Sequence, residues 1–240
     1  MLLALVLAAL GVAAIVGSEV IARRYARRYV IGRILIAAPQ VSLEQAIDIA
    51  ARGDRRYVRL HGRISSAEEF PDENDRPLVY RRKRIEIRTD QGRWEAVAEE
   101  AEGVPFGVES RGASVAVDSA ALGEGLVVLP RESVGRVADL PPGIDAGDAP
   151  ATAQARLVVE QVSAVEHAFV AGMPQSGTGG EVIISSAARR PLILTTLELP
   201  AAMRVLAAGQ RGMTLLLGAL LIVGVVLLAA AVAVSVFTLA

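Results

Sequence analysis

The longest uninterrupted run of basic residues in the chain is Arg81-Arg82-Lys83-Arg84. In an extended strand, Arg82 and Arg84 face one way and Arg81 and Lys83 the other. A run of this kind suits docking of an acidic partner segment or of phospholipid headgroups, and it equally suits an edge strand kept from aggregating by its charges. His61 and His167 are the only two histidines, too few for a zinc site, although they suit a pH-sensitive contact. The chain has no cysteine, which removes a disulfide framework, a thiol nucleophile and Cys-held zinc. The Gly- and Ser-rich segment 172–181 lacks the Gly-Lys-Ser/Thr of a phosphate loop and reads as a hairpin connection. Asp72, Glu73 and Asp75 do not have the spacing of a calcium loop and read as a solvated turn, while Tyr80 and Trp94 read as core anchors. No catalytic residue, cofactor or metal ligand is therefore assigned.

These residues must be held by the elements around them. Ser42-Leu-Glu-Gln45 has the form of a capping box opening a short helix that Gly53 closes. From there the period changes to two, predicting strands at 57–64 and 76–89. A further strand is expected through Trp94 and Val97, then a hairpin over 105–118 split by Arg111-Gly112. After GLVVLP, the Pro-, Gly- and Ala-rich segment 139–155 reads as loop, followed by ARLVVEQV, HAFVAGMP, EVIIS and PLILTTL as short strands and a helix over 200–210. Many short strands without alternating long helices indicate a closed or partly closed barrel.

Both ends are apolar. Residues 1–22 and 213–240 read as helices long enough, or nearly so, to cross a hydrocarbon core of about 30 Å. Arg23, Arg24, Arg27, Arg28 and Arg33 follow the first run, and Arg204 and Arg211 precede the second. By the positive-inside rule this order places the central body in the cytoplasm, with the Arg collar at the membrane interface. The expected organisation is a transmembrane helix with a basic extension (1–38), a β-rich domain with a short leading helix (39–200), and a linker helix with a second transmembrane helix (201–240). The expected location is a bacterial or archaeal plasma membrane, crossed twice. Eighteen of the 25 Lys and Arg but 25 of the 26 Asp and Glu fall within 41–200, leaving that segment at about −7. A body this acidic excludes nucleic acid as a partner.

The order of motifs resembles a known family. Gly62 in the first strand, Pro77, Val79 and Tyr80 in RPLVYRR, and Trp94 in the next strand are followed by Phe106, Gly112, Val115, Val117 and Asp118, then Glu160, Phe169 and Gly172. This pattern, between two apolar helices, resembles the GIDE or "beside a membrane" domain, found in prokaryotes and in a mitochondrial outer-membrane E3 ubiquitin ligase. The resemblance implies a mainly β, membrane-anchored fold: an OB-like or barrel-like domain between two transmembrane helices. The ligase carries a zinc-binding RING finger after its second membrane helix. Here the chain stops within the second apolar run and has no cysteine, so ligase activity is not carried over. The mitochondrial domain also lies on the side away from the cytosol, whereas the Arg flanks here argue the reverse.

The expectation is thus a non-enzymatic binding or scaffold protein beside a lipid bilayer, with Arg81, Arg82, Lys83 and Arg84 as candidate partner contacts. Another protein, bound at a strand edge or groove, is the expected partner. Small residues in the second apolar run (Gly218, Ala219, Gly224, Ala229 to Ala231) also suit a homo-oligomer packed through its helices. An enzyme of unrecognised type is the least supported reading.

Overall fold

The computed structural model describes the backbone of residues 2–177, 179–208 and 211–239, and within these the side chains except at 2–4, 20–29, 211–217, 234 and 236–239. The chain divides into two compact units, one of 1–33 with 206–240 and one of 34–205.

The first unit contains most of α1 (Leu2–Ala37) and all of α4 (Arg211–Leu239). The two helices approach closely at glycines: a Cβ on Gly11 would lie 2.9 Å from Leu228 Cγ, and one on Gly224 would lie 2.7 Å from Ile15 Cγ1. Gly224, one of the small residues read as an oligomer contact, is therefore used within the chain. The outward side chains are apolar, with Leu5, Leu10, Val12, Ile222 and Val226 among those exposed.

In the second unit, Ser42 caps α2 (Leu43–Ala51) with both hydrogen bonds of the capping box, and Leu43, Ala46, Ile49 and Ala50 are buried. They meet the interior of a barrel formed by β1 (Val58–Ser65), β5 (Phe106–Ser110), β6 (Ala113–Val117), β10 (Val182–Ser185) and β9 (His167–Ser176). Each of these strands pairs with the next, and β9 returns to β1, so the ring is closed. All pairings in the ring are antiparallel except β6 with β10. Alternate residues of β1, Val58, Leu60, Gly62 and Ile64, point into the core, as a period of two requires. The short β11 (Ile193–Thr195) extends β9 beside β10. At Gly125 a Cβ would come within 1.8 Å of the Leu192 carbonyl oxygen, so only glycine permits this approach.

Two insertions between barrel strands build a second, curled sheet. β2 (Phe70–Pro71), β3 (Pro77–Arg88) and β4 (Trp94–Gly103) lie between β1 and β5, while β7 (Arg131–Arg136) and β8 (Gln154–Ser163) lie between β6 and β9. β3 is the spine, with β2 and β4 on one edge and β8 then β7 on the other. Among the described residues this sheet does not close: β4 and β7 each have an unpaired outer edge. α3 (Leu199–Ala207) follows β11.

The barrel and most strand positions agree with expectation, but the class is mixed α/β, not a mainly β domain between two transmembrane helices. α1 and α4 alone run 36 and 29 residues. Among the described residues no helix is long and apolar enough to cross a membrane. The two-pass plasma-membrane location and the cytoplasmic placement of the body lose their basis with that finding. Of the collar, Arg33 is exposed on α1; the side chains of Arg23, Arg24, Arg27 and Arg28 lie outside the described residues.

Candidate functional site

The basic run lies in β3, which is an interior strand flanked by β4 and β8 and not the exposed edge weighed from sequence. Three of its four cations are taken up within the fold. The buried Arg82 meets Glu160 on β8 at 2.7 Å through both Nε and an Nη, and it also donates to the Gly123 carbonyl. Arg81 meets Glu102 on β4 at 2.5 Å and lies 5.3 Å from the ring centre of Phe70. Arg84 donates to Glu86 at 2.7 Å. The other Glu86 oxygen accepts from Arg156, which also reaches Glu132 at 3.2 Å and stands 4.5 Å over the Trp94 ring. The pairs of Arg82, Arg84 and Arg156 thus form a ladder on one face of the curled sheet, while Arg81 and Glu102 pair on the other. Burial pushes the Tyr80 phenol up from its ordinary value, with Arg82 acting in the opposite direction.

The opposite face is different. Lys83 and Ile85 of β3 look into a groove of about 620 Å³, together with Ala98 and Glu100 of β4 and Leu157 of β8. The segment after β7 overhangs it with Leu140, Pro141 and Ile144. Asp139 at the groove's end spends a carboxylate oxygen on the backbone N–H of Arg136 at 3.1 Å. Lys83 has no carboxylate within 4 Å among the described residues, and neither do its cross-strand neighbour Glu100 nor Glu99 and Glu95 have a cation that close. A cavity of this size, with an apolar floor and overhang and charged residues alongside, has the make-up of a small-molecule or side-chain pocket.

The two histidines do meet. Their rings stack at 5.9 Å on the outer wall of the barrel, and His61 lies 4.4 Å from Phe169. They border a polar cleft of about 510 Å³ with Arg63, Glu109 and Arg111. Among the described residues no group of three His, Asp or Glu is arranged to hold a metal ion. In the acidic turn Glu73 and Asp75 are exposed, while Asp72 is buried and accepts from the backbone N–H of Asn74 at 2.7 Å and of Arg76 at 3.0 Å. The Arg76 bond, first, and then the Asn74 bond hold its carboxyl below the ordinary range against the effect of burial.

Sequence reasoning found the residues of β3 but not the groove. Its overhang falls in the segment read only as loop, and β7 was not predicted because its six residues, RESVGR, are all exposed and weakly patterned. Compared with protein-family models, curated proteins and solved structures, the chain matches none.

Proposed function

We propose that the protein is a non-enzymatic binding or scaffold protein whose curled sheet accepts an extended segment of another protein along β4. The reading rests on one observation: the barrel has no free edge, whereas the ten residues of β4 leave one side unpaired. An added strand gains backbone hydrogen bonds there and needs no side-chain motif in this chain. Charge selects the partner. Glu95 and Glu99 are exposed on β4, and the strand already paired with β4 is the basic β3, so a Lys- or Arg-bearing strand is the matching addition. A resemblance to the GIDE domain agrees with a binding role without ligase chemistry. The exposed apolar faces of α1 and α4 are where we infer contact with lipid, since apolar surface of that extent needs cover.

Selection of peptides from a random library against the purified full-length chain tests this. Selected sequences should be extended and enriched in Lys and Arg, and Glu95→Lys with Glu99→Lys should abolish their binding while the Trp94 emission stays native. Enrichment of acidic peptides, or binding indifferent to both substitutions, would count against strand addition at β4.

A further inference from the structure

The groove on the other side of β3 calls for a different occupant, independent of a strand on the β4 edge. Its floor and overhang are apolar, built by Ile85, Leu157, Leu140, Pro141 and Ile144. Two charged side chains look into it, Lys83 and Glu100, directly opposite each other across the β3–β4 pairing. They are cross-strand neighbours of opposite sign, yet they are not within ion-pair distance of each other. Of the other charged residues along the groove, Arg156 is committed to Glu86 and Glu132 and Asp139 to a backbone N–H, while strand alternation turns Glu99, opposite Arg84, and Arg136, on the Glu132 side of β7, toward the ladder face.

An apolar trough ending in one cation and one anion, neither neutralised, complements a ligand with the same three features. We infer that the groove binds an alkyl-chain amphiphile with a zwitterionic head, its anionic group on Lys83, its cationic group on Glu100 and its chain under Leu140–Ile144. A purely anionic head meets Glu100 unfavourably and a purely cationic head meets Lys83 unfavourably, so the pair discriminates by charge as well as by shape.

The test uses the purified chain and four photoreactive dodecyl probes, below their micellar concentrations, that differ only in head: phosphocholine, sulfate, trimethylammonium and an uncharged sugar. Cross-links are mapped by mass spectrometry. The phosphocholine probe should label the peptides containing Leu140–Ile144 and Leu157 in preference to the other three. Lys83→Gln and Glu100→Gln should each cut that labelling roughly fivefold or more, the loss expected for a charged contact. Lys83 is half-buried and Glu100 exposed, so both variants should keep native Trp94 emission; Ile85→Glu is the control that removes the apolar floor. Equal labelling by all four heads, labelling outside the groove, preference for the sulfate probe, or labelling unchanged in both charge variants would each overturn the assignment.

Discussion

Replacing Arg82 by Met removes one member of an ion pair whose side chains are only 8% and 12% exposed. Met fills most of the Arg volume, so the effect isolates charge from packing. Glu160 is then left buried without its cation, and the Gly123 carbonyl loses a donor. Breaking a buried pair from one side costs about 3–5 kcal/mol, because the remaining charge stays desolvated. In a unit of this size each kcal/mol shifts the midpoint by about 2–4 °C, giving a fall of roughly 6–20 °C. Trp94 is the only tryptophan and lies under Arg156 in the same sheet, so its emission follows this unit without interference from α1 and α4. The double substitution Arg82→Met with Glu160→Met should recover most of the loss, because an apolar pair of similar volume carries no desolvation penalty. A single variant within about 2 °C of the native chain, roughly the 1 kcal/mol of an exposed pair, or a double variant no better than the single, would refute this account of the ladder.

Gly125→Ala forces a Cβ to within 1.8 Å of the Leu192 carbonyl oxygen, and should cost about 1–3 kcal/mol or prevent folding, read by urea unfolding. Tyr57→Phe removes a hydroxyl placed 2.7 Å from the Pro191 carbonyl and 3.0 Å from that of Ala171; equilibrium unfolding should show a loss of about 1–3 kcal/mol, and a neutral result would show water replacing it. Because the Asp72 carboxyl is held below its ordinary value in the folded chain, its contribution is complete above about pH 4 and disappears as pH falls through the folded value. The stability gap between native chain and Asp72→Asn should therefore be larger at pH 7 than at pH 3, and a gap that widens in acid would reverse the assignment.

Much of the body was legible because local signals and tertiary context agreed. The capping box at Ser42, the alternation through Val58, Leu60 and Ile64, and the Arg111-Gly112 turn, where both residues have positive φ, each appear where the sequence places them. Arg81 to Arg84 show the limit of such reading. A strand of alternating charge carries no sign of whether acidic neighbours will flank it, and Glu102 and Glu160 come from strands 21 and 78 residues further on. The groove was hidden for the same reason, since Ile85, Leu157 and Ile144 are joined only by the pairing of β3 with β8 and by the overhang. The apolar ends announced two long helices correctly, but hydropathy alone did not reveal the close Gly11–Gly224 approach between them.

Hydrogen exchange along β4 tests the proposed binding role most directly. In the full chain with a bound Lys- or Arg-rich peptide, alternate amides between Trp94 and Gly103 should pass from rapid to slow exchange, while the amides of β1 and β9 stay unchanged. Protection that appears on the barrel strands, or no change along β4 at saturating peptide, would contradict strand addition.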